Sequence, residues 1–196
     1  MIYFKKEHIL TILDIIKKLD KSKYAIAIDG LGGSGKSTLA DELSGYVNNA
    51  IIIRMDDFYK TKEMRNKLNS KEDIGGYFDW ERLEKQILIP FAEDRSSKYQ
   101  KYNWLNDKLC NSGNIQKSKN IIVEGIYSNR TELSKYYNIK IWIECPEDIR
   151  LSRGIARDGK EMKEYWQNVW VIQEKRYYEE HKPYLRADII LNNGKA

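Results

Sequence analysis

The run Gly30-Leu31-Gly32-Gly33-Ser34-Gly35-Lys36-Ser37 fits the pattern GxxxxGK[ST]. It follows a short apolar run and opens a helical one, and that strand–turn–helix context makes it a P-loop. The glycines let backbone N–H groups turn inward around phosphate oxygens, and the helix N-terminus adds the positive end of its dipole. Lys36 reaches for the β- and γ-phosphates and the Ser37 hydroxyl for Mg²⁺. Gly30, Gly32, Gly33, Ser34, Gly35, Lys36, Ser37 and Thr38 are therefore the expected nucleotide-binding residues. A guanine-reading NKxD is missing, because Asn66-Lys67-Leu68-Asn69 lacks the Asp, which argues against a GTP switch. Leu43-Ser44-Gly45, a tempting transporter-type signature, lies on the P-loop's own helix and reads as packing.

Nucleotide binding alone leaves the fate of the γ-phosphate open. A second apolar run ends in Arg54-Met55-Asp56-Asp57-Phe58-Tyr59, which sets two carboxylates at a strand end beside the P-loop. A carboxylate there can take the proton of an attacking hydroxyl when phosphoryl transfer goes to an alcohol. Arg150, Arg153 and Arg157 recur at i, i+3 and i+7, within about 60° of one helix face at 100° per residue. Alone, they could form a solvated face paired with Glu147 and Asp148; beside a P-loop they read as a lid over the transferring phosphoryl group. In Ser97 to Trp104, a strand would put Tyr102 and Trp104 on one face, either to stack on a nucleobase or to pack a hairpin onto the domain.

Positioning these residues takes a particular set of elements. Tyr24 to Ile28, Ala50 to Ile53, Asn120 to Val123, Ile139 to Ile143 and Ala187 to Leu191 are short apolar runs, as expected for strands buried on both faces. Helical patterns cover the N-terminal segment with Ile9, Ile12, Leu13, Ile16 and Leu19, then Lys36 to Val47, Trp80 to Phe91 with Asp79 as N-cap, Arg130 to Tyr137, Pro146 to Arg157, and Lys160 to His181. Strands alternating with helices predict an α/β fold: a three-layer α/β/α P-loop NTPase domain over residues 1–196 with a five-stranded parallel sheet. Ligands in such sheets bind beyond the carboxyl ends of the strands. Residues 97–119 are the least regular stretch, and at that length they are expected to form a functional lid or a hairpin; residues 146–160 would be the Arg-bearing lid.

Composition bounds the rest. A chain of 196 residues with 41% hydrophobic and 32% charged positions is long and apolar enough for one core, and 12 Gly and 3 Pro exclude collagen-like or low-complexity character. No run approaches the roughly 18 apolar residues of a membrane helix, and the N-terminal charges exclude a signal peptide, so a soluble cytoplasmic protein is expected. Cys110 and Cys145 match no metal spacing and are expected as free thiols. The net charge of +5 comes from alternating signs rather than a basic block, which argues against a nucleic-acid face.

Taken together, the P-loop, Asp56-Asp57-Phe58-Tyr59, Phe78-Asp79-Trp80, Val123-Glu124-Gly125-Ile126, Arg150-Leu151-Ser152-Arg153 with Arg157-Asp158, and the closing Lys182-Pro183 and Ala187-Asp188-Ile189-Ile190 resemble the uridine kinase branch of P-loop small-molecule kinases. That branch is related to phosphoribulokinase and type I pantothenate kinase. The resemblance implies that Asp56 is the catalytic base, that Tyr59 lies against the acceptor, and that Glu124 holds Mg²⁺ with Ser37. A strand-end carboxylate opposite the P-loop serine also suits an oxygen-only magnesium site on chemical grounds. By the same resemblance Lys36, Arg150, Arg153 and Arg157 stabilise the transferring charge, and Tyr102 and Trp104 belong to a hairpin over the acceptor. Three departures stand out. The family's second arginine after the middle one is Gly154 here, the acidic-His-Pro-Asp string is replaced by Glu72-Asp73-Ile74-Gly75-Gly76-Tyr77 with only Asp73 to stand in at a ribose, and Leu105-Asn106-Asp107-Lys108 lacks the hairpin's base-contacting His. The expected activity is transfer of the γ-phosphoryl group of ATP·Mg²⁺ to a hydroxyl of a uridine- or cytidine-like nucleoside. Pantothenate, a sugar phosphate or nicotinamide riboside as acceptor, a non-catalytic nucleotide-binding module, and a homo-oligomer stay open.

Overall fold

The computed structural model of the chain describes residues 4–68, 74–117 and 119–194, so Asp73 lies outside the described residues. The strands in chain order are β1 (Ala25–Gly30), β2 (Ala50–Arg54), β3 (Ser97–Asn103), β4 (Lys108–Ile115), β5 (Asn120–Glu124), β6 (Ile139–Glu144) and β7 (Ile189–Asn192). Five of them form one parallel sheet in the order β2-β5-β1-β6-β7, while β3 and β4 pair as an antiparallel hairpin apart from it. The expected five apolar runs are these five strands, with ends shifted by one or two residues.

Alternation along each strand divides the core into two layers. Ala25 and Ala27 of β1, with Ile121 and Val123 of β5, face one side; Ile26, Ile28 and Ile122 face the other. The second side is covered by helix α1 (Lys6–Lys18) through Ile9 and Ile12, and by α2 (Lys36–Ser44) through Leu39 and Leu43. The first is covered by the short α3 (Lys62–Asn66) region's neighbour α4 (residues 80–92) through Leu83, Ile87 and Leu88, together with Phe58 and Tyr177. Asp79 caps α4, its side chain accepting from the Arg82 amide at 3.1 Å. Two further helices follow β6: α5 (Glu147–Asp158) and α6 (residues 163–181), the latter widened by looser turns at Trp166–Trp170 and Tyr177–His181. Among the described residues no helix is long and apolar enough to cross a membrane.

One expected helix is not formed. Residues 130–137 run through turns with a single 3-10 turn at Ser134–Tyr136. Eight residues are too few to stabilise a helix without packing along its length. Here the backbone closes tight local turns, Leu133 and Ser134 both donating to the Arg130 carbonyl and Tyr136 to that of Leu133, and the segment is entered through Tyr127 at φ 72° and an Asn129 amide held by Asp29. The helix expected from Lys160 also starts later, after a 3-10 turn at Lys160–Met162.

The sheet order puts β1 at the centre, and the chain leaves it first toward β5 and β2 and later toward β6 and β7. That reversal opens a crevice beyond the carboxyl end of β1, where the P-loop lies.

Candidate active site

The P-loop backbone takes positive φ values that favour glycine at Gly30, Gly33 and Gly35. Gly33 has φ 76° and Gly35 φ 102°, and a Cβ at Gly33 would stand 2.3 Å from the Arg150 carbonyl oxygen. Gly35 begins α2 without a side-chain cap, so the first-turn amides at Lys36, Ser37 and Thr38 have no acceptor inside the helix. Ser34 is fully buried, its amide bonded to the Leu31 carbonyl and its own carbonyl taking the Asn193 side chain at 2.7 Å. The Lys36 ammonium donates to the Leu31 carbonyl at 3.0 Å and lines the cavity beside the loop. Unpaired amides, a dipole end and an ammonium around a turn with no side chains in the way fit a triphosphate.

That cavity encloses about 880 Å³ and is bounded by the P-loop, the ends of β2 and β5, the hairpin and α6. Of the two adjacent carboxylates only Asp56 lines it. Asp57 turns away to pair with Lys101 of β3 at 2.9 Å and so pins the hairpin. Asp56 is exposed where it opens to the cavity, with protein packed around the rest of it. This desolvation pushes its pKa up, against the pull of Lys36 and then Arg157. Glu124 lies beside it at the end of β5, 4% exposed, accepting from Ser37 Oγ at 3.2 Å and from Arg54 Nη1 at 2.7 Å. Burial raises its pKa too, with Lys36 the strongest opposing charge. Ser37 and Glu124 supply oxygen donors alone, which suits Mg²⁺ completed by phosphate and water oxygens. Among the described residues no group of three or more His, Cys, Asp or Glu forms a metal cluster.

Arg54 is a functional neighbour that spacing did not reveal. The parallel register sets it opposite Glu124, and its second amino nitrogen reaches Asp41 of α2 at 2.8 Å. It thereby fixes the Glu124 carboxylate relative to the P-loop helix.

Contrary to the expectation from their spacing, the three arginines of α5 do not present one face to the cavity. Arg157 alone lines it, at the mouth, in a two-pronged pair with Asp158. Arg153 points to the far side and donates to the Asn193 carbonyl at 3.2 Å. Arg150 is buried behind the P-loop, where it closes a ring around the Gly32 peptide. The Gly32 amide donates to Glu174 Oε1 at 3.0 Å, Glu174 Oε2 takes Arg150 Nη1 at 3.0 Å, and the same nitrogen donates to the Gly32 carbonyl at 3.1 Å. Gly154 has its own reason: a Cβ there would meet the Trp166 ring at 2.6 Å, so no arginine fits at this position.

The acceptor half of the cavity is aromatic. Tyr59 stacks on Trp104 with centroids 4.7 Å apart, Tyr102 meets Trp104 edge-on at 4.9 Å, and Trp166 and Trp170 of α6 form the facing wall. Tyr59, Tyr102 and Trp104 are thus brought together beside Asp56, and the hairpin tip both packs on the domain and lines the cavity.

A phosphate-binding turn, a carboxylate at the same cavity and an aromatic-walled acceptor chamber define a P-loop kinase. The chain belongs to the Phosphoribulokinase / Uridine kinase family, whose profile matches residues 25–181. A uridine kinase of Ureaplasma parvum serovar 3 is 29% identical over 157 residues, 76% of this chain and 75% of that one. A uridine kinase of Clostridium tetani is 28% identical over 194 residues, covering 90% of each chain. Among solved structures, a possible uridine kinase from Bacillus stearothermophilus shares the fold with a TM-score of 0.71 at 20% identity, over 94% of this chain and 98% of that one. The D-glycerate 3-kinase of Cryptococcus neoformans shares it at 0.57 and 12% identity, over 93% and 87%. Family membership carries kinase activity and use of ATP with it.

Proposed function

We propose that this chain transfers the γ-phosphoryl group of ATP to a hydroxyl of a uridine-like nucleoside. The observation that carries the reading is the position of Asp56: at the wall of one chamber shared with Lys36 and Arg157 and with the aromatic side chains of Tyr59, Tyr102 and Trp104. The uridine kinases among its relatives support the nucleoside.

In this reading the amides of the P-loop and the Lys36 ammonium hold the triphosphate. Asp56 orients the acceptor hydroxyl and takes its proton as the oxygen–phosphorus bond forms and the bond to the departing ADP breaks. Ser37 and Glu124 would hold Mg²⁺, which supplies charge neutralisation between the phosphates when bound. Arg157, the one lid arginine at the chamber, swings from Asp158 to the transferring group, while Arg150 keeps the loop beneath it in shape. Tyr59, Tyr102 and Trp104 exclude water and stack on the base.

An acceptor panel incubated with ATP and Mg²⁺, with products identified by mass, tests this. The expected result is a nucleoside 5′-monophosphate and ADP in equal amounts, lost by about two to four orders of magnitude in Asp56→Asn while ATP still binds. Equal turnover in Asp56→Asn, or no phosphorylated nucleoside from any member of the panel, would refute it.

A further inference from the structure

Arg65 has no part in the phosphate site, yet it lines the chamber. It projects from α3, whose first amide, at Lys62, donates to both carboxylate oxygens of Asp107 at 3.0 Å. Asp107 sits in the hairpin turn, accepts the Tyr102 hydroxyl at 2.7 Å and faces Arg65 Nη1 at 3.7 Å. The guanidinium lies over the Tyr59 ring at 4.8 Å and near that of Tyr102 at 6.0 Å, with Nη1 also donating to the Lys60 carbonyl. The guanidinium is thus tied to the Lys60 carbonyl, interacts with the Tyr102 hydroxyl and rests over an aromatic ring, with its side chain at the chamber wall.

A guanidinium has donors and no acceptor, and it stays charged at any working pH. Braced in this way it recognises oxygen, and it disfavours a group offering only N–H. We propose that Arg65 determines acceptor specificity by donating to a carbonyl or carboxylate oxygen on the part of the acceptor that lies against Tyr59, Tyr102 and Trp104. The inference rests on the phosphotransferase reading of the same chamber but does not require a nucleoside. A nucleobase carbonyl and the carboxylate of a small hydroxy acid present the same oxygen to the same donors.

The test compares the unmodified protein with Arg65→Met and Arg65→Lys on three acceptor types: uridine, the hydroxy-carboxylates pantothenate and D-glycerate, and methyl riboside, which has neither oxygen. Turnover and acceptor-induced quenching of tryptophan fluorescence are both read. Expected are binding of uridine or of a hydroxy-carboxylate at least about ten times tighter than methyl riboside, and an acceptor KM raised about tenfold or more in Arg65→Met. The ATP KM should stay within about twofold, with part of the acceptor loss recovered in Arg65→Lys. Turnover of a hydroxy-carboxylate but not of uridine, with the same Arg65→Met effect, would remove the nucleoside and keep Arg65. An unchanged acceptor KM in Arg65→Met would overturn the proposal while leaving the nucleoside reading intact. Binding of methyl riboside as tight as that of every oxygen-bearing acceptor would also overturn it.

Discussion

Replacing Arg150 by methionine should cost about 3–5 kcal/mol of folding stability, because it strands a buried charge. The ring around the Gly32 peptide sets the size. The Arg150 and Glu174 side chains are 4% and 7% exposed and meet at 3.0 Å, and Glu174 would keep only the Gly32 amide once the guanidinium was gone. Burial already raises the Glu174 pKa, with Lys36 and then Arg150 holding it down, so losing Arg150 removes one of its two main counter-charges. Glu174→Met should cost a similar amount by leaving Arg150 uncompensated. In the double variant Arg150→Met/Glu174→Met the two charges leave together, and what is lost is the acceptor of the Gly32 amide and the donor to the Gly32 and Cys145 carbonyls, about 1 kcal/mol for each hydrogen bond.

Urea unfolding at neutral pH, with the denaturant slope checked for constancy, supplies all four corners of the cycle. The double variant should be more stable than either single one. Because the ring fixes the loop that binds phosphate, affinity for a non-hydrolysable ATP analogue should fall in both single variants as well. Losses that simply added in the double variant would mean that the two side chains do not act on one another, and the account of the P-loop's support would fail.

Three other perturbations test separate parts of the site. Gly33→Ala puts a Cβ 2.3 Å from the Arg150 carbonyl at φ 76°, so it should lose at least about tenfold in ATP-analogue affinity and about 1–3 kcal/mol in stability; calorimetry with both intact would contradict the loop geometry. Asp29 is fully buried, accepting from Gly30, Asn129 and the Tyr177 hydroxyl, and burial raises its pKa from 3.8 to about 6. The folded chain therefore holds this proton through a window in which the unfolded chain has lost it. The resulting penalty grows as pH rises from about 4 to 6 and levels off near 3 kcal/mol, so Asp29→Asn should gain on the unmodified protein across that window in urea titrations; a pH-independent difference would refute this. Trp104, 56% exposed, should reveal its task in Trp104→Ala: about a tenfold rise in acceptor KM with stability changed by less than about 1 kcal/mol supports stacking, and the opposite pattern supports hairpin packing.

Much of the fold was legible because a sheet covered on both faces needs strands apolar at nearly every position, and runs such as Ala50 to Ile53 have few other uses. The P-loop was legible because phosphate binding by backbone amides fixes both spacing and glycine content. The segment 130–137 misled because its apolar spacing arises from Leu133 and Tyr137 entering the core from turns, which a one-dimensional periodicity cannot distinguish from a helical stripe.

The arginines show where local reading stops. Spacing at i, i+3 and i+7 places side chains on one side of a helix, but that side is wide enough to meet several surroundings at once. On α5 it meets three: the Gly32 peptide with Glu174, the Asn193 carbonyl, and the chamber itself. Which arginine lines the chamber is thus decided by residues 24 and 40 positions away, Glu174 for Arg150 and Asn193 for Arg153, each of which withdraws one guanidinium from it. Gly154 obeys the same logic in reverse, since it is the Trp166 ring that excludes a side chain there. A charge whose partner lies on another element has no local signature. Its role can be read only once the elements are packed, and that is why Arg54, Glu174 and Arg65 became visible through their partners rather than through any motif.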